Sequence, residues 1–210
     1  MPNQTHLPDS LKMSYSDSVY VPAEDSDLLA KAVTDLAFGK ALDIGTGTGI
    51  QGIVASLKGC DVTFADIDPN ALSLARRNAS ANSVKGRFVK SDLFSKVSGK
   101  FNTIIFNPPY VPSAPLDSRR RNIHSLAKPF RALDPNKSKR AYTALDGGTR
   151  GREVIDRFLS EYKAHVMKDH IVLMIESSFN GYKSDVKRLK ARVVGKSHYF
   201  FEDLVVLAFE

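Results

Sequence analysis

Short runs of β-branched and apolar residues punctuate the chain at Ala41–Ile44, Val62–Ala65, Arg87–Val89, Thr103–Phe106, Ile171–Ile175 and Leu204–Phe209. Between most of them, apolar positions recur at helical spacing over Ala23–Leu36, Ile50–Leu57, Pro69–Ser80, Arg152–Ala164 and Lys183–Lys190. The helix from Pro69 has the clearest start: Asp68 can cap it, proline suits the first turn, and Ala71, Leu74, Ala75 and Ala79 share one face. Continuous apolar strands separated by helices predict a mostly parallel α/β sheet covered on both faces. A strand over Arg192–Phe201, followed by a short turn around Glu202–Asp203, predicts a C-terminal antiparallel hairpin and seven strands in all. No repeat or linker divides the chain, so residues 1–210 read as one doubly wound domain, with residues 1–17 as a polar tail. The stretch 112–149 lacks periodicity and is too long for a mere connection, which predicts a functional, substrate-facing loop.

Composition narrows the class. With 42% hydrophobic and 25% charged residues, the chain is ordinary for a globular protein. At 210 residues it can bury about 70% of the surface its unfolded form would expose. The lone Cys60 excludes an internal disulfide framework. The histidines at 6, 124, 165, 170 and 198 form no pair with helical ligand spacing, so no metal is expected. No apolar run nears the roughly 20 residues a bilayer requires, and the polar start is unlike a signal peptide. These features predict a soluble, cytoplasmic protein. The formal charge is +7, and almost all of it falls between Asp117 and Arg140. There Arg119, Arg120, Arg121, Lys128, Arg131, Lys137, Lys139 and Arg140 face only Asp117 and Asp134. Such a patch draws anionic partners, either nucleic acid or an acidic protein surface.

The first strand ends in Asp43-Ile44-Gly45-Thr46-Gly47-Thr48-Gly49 and runs into a helix. Alternate glycines let the backbone turn sharply and approach a ligand, and open parallel sheets bind ligands at this end of their strands. The same residues also fit a dinucleotide fingerprint as Gly47-x-Gly49-x-x-Gly52, a reading that leaves Asp43 without a role. Asp66 closes the second strand, where a carboxylate can accept hydrogen bonds from both hydroxyls of a ribose. After the third strand, Asp92 can take the exocyclic amine of an adenine while Leu93 covers the ring. Three acids at three consecutive strand tips beside a glycine loop resemble the Rossmann-like class I S-adenosylmethionine-dependent methyltransferases. Gly45, Gly47 and Gly49 would then border the cofactor.

The fourth strand leads into Asn107-Pro108-Pro109-Tyr110. Methyl transfer to an NH2 group conjugated with a planar system needs a nitrogen held in line. The Asn107 side-chain carbonyl and the Pro108 backbone carbonyl can accept its two N–H bonds, and Asn107 also borders the cofactor. Pro109 stiffens the turn, and Tyr110 can lie against the flat face of the acceptor. No strong general base is required. The tetrapeptide serves adenine, guanine and glutamine alike.

Val19-Tyr20-Val21-Pro22-Ala23-Glu24-Asp25-Ser26, Leu145-Asp146-Gly147-Gly148 and Gly151-Arg152-Glu153-Val154-Ile155-Asp156-Arg157-Phe158 resemble the HemK family, in its archaeal and eukaryotic branch of release factor glutamine methyltransferases. The resemblance runs from about Ser18 to the C-terminus. It implies N5-methylation of the glutamine amide in the Gly-Gly-Gln motif of a class-1 release factor. It also implies that Ser26, Asp43 and Gly45 contact the methionine part of S-adenosylmethionine, Asp66 the ribose, and Asp92 and Leu93 the adenine. Relatives in this branch often work with a small zinc-binding activator subunit. The alternatives are the same chemistry on a nucleic acid base, with the basic loop on phosphates, and a catalytically silent RNA-binding module.

Overall fold

A computed structural model describes residues 10–112, 146–199 and 202–210. Along the chain run α1 (Glu24–Leu36), β1 (Lys40–Ile44), α2 (Ile50–Leu57), β2 (Asp61–Asp66), α3 (Pro69–Ala81), β3 (Gly86–Lys90) and β4 (Phe101–Phe106). After them come α4 (Glu153–Glu161), β5 (Val166–Ser177), α5 (Tyr182–Leu189), β6 (Arg192–Tyr199) and β7 (Glu202–Phe209). Short 3-10 turns at Tyr162–His165 and Ser178–Asn180 flank β5.

The strands form one seven-stranded sheet in the order β3-β2-β1-β4-β5-β7-β6. The first five strands pair in parallel, whereas β7 is antiparallel to both β5 and β6. From β1 the chain winds outward through β2 to β3, then returns to lay β4 on the other side of β1. The crevice between β1 and β4 is therefore the point where strand order reverses, the place where open α/β sheets bind ligands.

The apolar runs become strands because both faces of the sheet are covered: Ala41, Leu42, Phe64, Ile104, Ile105, Val172 and Leu173 are fully buried. Helices α1 and α2 lie against each other, with α1 also on β5–β7 and α2 on β1 and β2. Stacked rings of Phe106, Phe158 and Tyr162, with Phe94 tilted against Phe158 and Phe209 edge-on to Tyr162, join α4 and the following turn to the sheet. Helix α3 starts as its sequence dictates, the Asp68 carboxylate accepting from the Asn70 amide with Pro69 in the first turn.

Four expectations need correction. Strand β5 runs well beyond Ile171–Ile175, because its polar first half still pairs with β4 through an irregularity between Phe101 and Thr103. The helix expected over Arg152–Ala164 ends at Glu161 and tightens into a 3-10 turn. Glu202 and Asp203 form no turn; they pair with Tyr199 and His198 inside the hairpin, where Asp203 bridges His198 and Lys196. The expected N-terminal tail is, from Ser10 on, a strap along α3. Asn78 binds the amide and carbonyl of Ser14, and Asn82 those of Lys12, while Asn78 also donates to the Thr48 carbonyl.

The basic stretch 117–140, and with it the expected contact with nucleic acid or an acidic surface, lies outside the described residues. Among the described residues no helix is long and apolar enough to cross a membrane.

Candidate active site

A cavity of about 680 Å³ opens at the β1–β4 crevice. Its walls are the glycine loop after β1, the tips of β2 and β3, the strap at Ser18–Pro22, and Asn107 after β4. Ser26, Asp43, Gly45, Gly47, Asp66, Asp92, Leu93, Asn107 and Pro109 all line it. Gly49, Pro108 and Tyr110 are not among the lining residues. Gly49 instead turns the chain into α2 at φ 86°, and a Cβ there would meet Ala75 of α3 at 3.1 Å, so this glycine lets two helices approach.

On the glycine-loop side, the carboxylates are already engaged by the chain. Asp43, only 2% exposed, accepts from the Thr46 hydroxyl at 2.5 Å and the Gly52 amide at 2.9 Å. Burial pushes its pKa up to about 7 against those two bonds. Asp66 accepts from the Gly47 amide and the Asp68 amide, both at 2.9 Å, and so ties the loop to the tip of β2. Burial raises its pKa as well. A carboxylate offers about four lone-pair sites, so both keep capacity for a ligand's hydroxyl or ammonium hydrogens.

Leu93 sits at φ 45°, a left-handed conformation that costs a side-chain-bearing residue about 1 kcal/mol or more; its carbonyl is held by the Ser91 hydroxyl at 2.8 Å. Asp92 stands at the rim, about half exposed, in an ion pair with Arg157 of α4 at 2.9 Å. The sequence had not singled out Arg157 beyond its place in a matching segment.

The acceptor side is organised by a residue that sequence reasoning missed. Asp25, in the first turn of α1, is 3% exposed. Its Oδ1 accepts from the Tyr20 hydroxyl at 2.9 Å, the Ser26 amide at 2.6 Å and the Ser26 hydroxyl at 3.2 Å. Its Oδ2 accepts from Asn107 Nδ2 at 3.0 Å and the Tyr110 hydroxyl at 3.3 Å. Ser26 thus serves Asp25, while its carbonyl accepts from Gln51 at 2.8 Å. Tyr110, 3% exposed, directs its hydroxyl at Asp25, where the sequence had suggested a platform for the acceptor. Helical phase could have revealed Asp25: it lies four residues before Leu29 and seven before Ala32, both buried on the inner face of α1.

Among the described residues, the buried Asn107 Oδ1 has no hydrogen-bond partner. The turn after β4 is braced from behind by the segment starting at Asp146, which bridges to Val111; the Gly147 amide donates to the Val111 carbonyl at 2.9 Å. A Cβ on Gly147 would lie 2.6 Å from the Pro109 carbonyl oxygen, and one on Gly151 2.4 Å from that of Tyr110. The glycines of this segment are what allow it to touch the Asn-Pro-Pro-Tyr backbone.

Among the described residues, the lining carries the carboxylates of Asp43, Asp66, Asp68, Asp92 and Asp146 and one cation, Arg157, which is paired with Asp92. Such a cavity repels a pyrophosphate and suits a ligand bearing positive charge. It fits a sulfonium nucleoside better than a dinucleotide.

The methyltransferase small domain family matches residues 22–126. A Methanocaldococcus jannaschii protein, assigned by its name to protein N5-glutamine methylation, is 36% identical over 205 residues, or 95% of each chain. The chain belongs to this methyltransferase family. The Deinococcus radiodurans release factor glutamine methyltransferase is 46% identical over 77 residues, covering 36% of this methyltransferase and 28% of its relative. Among solved structures, the Encephalitozoon (E. cuniculi) Mtq2 protein superposes with a TM-score of 0.64 at 24% identity, over 92% of this chain and 98% of that one. That structure is a complex of Mtq2 with Trm112, described as responsible for methylating the termination factor eRF1. At this identity it establishes the shared fold of the methyltransferase. As a member of this family, the enzyme uses S-adenosylmethionine.

Proposed function

We propose that this enzyme methylates the N5 nitrogen of the glutamine in the Gly-Gly-Gln motif of a class-1 translation release factor. The observation that carries the proposal is the unpartnered Asn107 Oδ1, a buried acceptor at the mouth of β4 beside a cavity fit for S-adenosylmethionine. Leaving such an oxygen without a donor costs about 1–3 kcal/mol, which an incoming N–H relieves.

The bound cofactor supplies an electrophilic methyl group on a cationic sulfur. The chain supplies position. Asp66 holds the ribose hydroxyls, Asp43, Ser26 and Gly45 the methionine end, Asp92 and Leu93 the adenine. Asn107 Oδ1 takes one N–H of the substrate amide, and the Pro108 carbonyl takes the other. Two acceptors on one planar nitrogen fix its orientation and stabilise positive charge developing there. Once methylated, the nitrogen carries one proton too many; an amide protonated on nitrogen is a strong acid and releases that proton to water, so no basic side chain is needed.

The anionic lining supports a peptide over a nucleic acid as substrate, since phosphates would have to approach several carboxylates. The Mtq2 structure, a complex with Trm112, supports a partner subunit; that this partner is a small zinc-binding activator is what the family resemblance implies.

The test is mass spectrometry of a release factor incubated with this enzyme and S-adenosylmethionine, with total RNA as the competing substrate. A single methyl group on the Gly-Gly-Gln glutamine is the expected product. Methyl label found only in RNA would sink the glutamine reading and favour a base amine.

A further inference from the structure

We infer that Asp25 is the positioning residue that sets which end of the Asn107 side-chain amide faces the acceptor. The two ends of that amide are nearly equal in size and opposite in chemistry: oxygen accepts, nitrogen donates. Nothing in the tetrapeptide itself fixes the choice. The inference rests on reading Asn107 as the acceptor of a substrate N–H.

The geometry makes the choice for it. Asp25 is a buried carboxylate surrounded by donors: the hydroxyls of Tyr20, Ser26 and Tyr110, the Ser26 amide, and Asn107 Nδ2. A carboxylate only accepts, so Nδ2 must turn toward it. The flipped rotamer would set Oδ1 against Oδ2 of Asp25, two oxygens with no hydrogen between them, at a buried site. With Nδ2 anchored at 3.0 Å, Oδ1 is left as the unpartnered acceptor. Burial, reinforced by the Asp25 charge, raises the pKa of both Tyr20 and Tyr110, so their hydroxyls stay protonated and keep donating to Asp25 beside Asn107. Asp25 does not line the cavity, so it acts through Asn107 and not on the substrate itself.

Without an acceptor-only neighbour, the amide would present a donor to a donor in much of the population. Asp25→Asn tests this with little change in shape, because a carboxamide can face Asn107 in either sense. The expected result is a kcat lower by roughly 100-fold, as for a misplaced reacting group, with the KM for the release factor and the calorimetric Kd for S-adenosylmethionine unchanged. A variant that binds cofactor like the parent and turns over at the parental rate overturns the inference. So does a loss confined to KM.

A second measurement needs neither substrate nor a folded Asp25 variant. In the parent protein, the Asn107 side-chain amide protons, assigned by their loss in Asn107→Asp, should include one shifted downfield and protected from exchange by the carboxylate. Two rapidly exchanging protons there would overturn the inference even if Asp25→Asn failed to fold. Because this signal is read without a release factor, it can fail while the glutamine reading stands, and the reverse.

Discussion

On the glycine-loop side of the cavity, Asp43 and Asp66 each hold two donors from the chain itself; on the Asn107 side, a buried oxygen holds none. The first half is engaged locally: the donors come from residues within 19 positions of their acceptor. The second is built across the fold, Asp25 reaching Asn107 and Tyr110 over separations of 82 and 85 residues. The proposed cofactor cradle is therefore held by residues close in sequence, whereas the proposed acceptor corner depends on α1 being packed beside the end of β4. A cradle for a tight-binding cofactor can be self-contained. A corner for a reacting amide must keep one acceptor free, and the surrounding structure holds that acceptor in place.

The contrast breaks most sharply at Asn107. Asn107→Ala removes the free acceptor and should lower kcat by roughly 100- to 1000-fold, the scale for deleting one polar contact to developing charge. The calorimetric cofactor Kd should change far less; a parallel collapse in cofactor binding would show that the two halves are not separable.

Next in size is the brace. Gly147→Ala drives a Cβ toward the Pro109 carbonyl at 2.6 Å and should destabilise the protein by about 1–3 kcal/mol, read as a shift in the urea midpoint. Turnover should fall more than the stability loss alone explains, because the displaced backbone carries Asn107.

The glycine-loop half is probed by pH. Asp43 has a folded pKa of about 7 against an ordinary value of 3.8, so the folded state binds its proton more tightly than the unfolded state does. Its favourable contribution is complete below about pH 4 and fades as pH rises through 7. Glu176, buried beside Asp185 with its pKa raised to about 8, contributes in the same direction. Asp43→Asn should therefore show a shallower decline of unfolding free energy between pH 4 and 7 than the parent, in urea titrations at several pH values. Identical slopes would mean that the loop carboxylate ionises freely.

The smallest effect belongs to the rim. Arg157→Ala breaks a half-exposed ion pair with Asp92 and should alter stability by less than about 1 kcal/mol. Thermal melts at low and high salt check this, since the parent's advantage should shrink as salt screens the pair.

Much of this architecture could be read from residues alone, for identifiable reasons. Asp68-Pro69 marks a helix start by local chemistry, and the buried strands announce themselves as unbroken apolar runs because both faces are covered. Where a strand's neighbour pairs irregularly, as beside Lys168, Asp169 and His170 of β5, the polar run hides its true start. Glu202 and Asp203 looked like a turn because charged pairs favour turns; cross-strand partners at His198 and Lys196 keep them in the ladder. Asn107 was visible as a motif. Asp25 was not, since Glu24, Asp25 and Asp27 together look like acids favoured at any helix N-terminus, and only packing selects the one that turns inward. The roles of Gly147 and Gly151 likewise depend on which backbone each touches.

The strap along α3 reverses the standing of the chain's opening residues. Because Asn78 clasps Ser14 on one side and Thr48 of the glycine loop on the other, one amide joins the strap to the glycine loop. Removing the chain through Tyr20 would strip out Ser18 and Val19 as well, and the chamber would lose an entire wall.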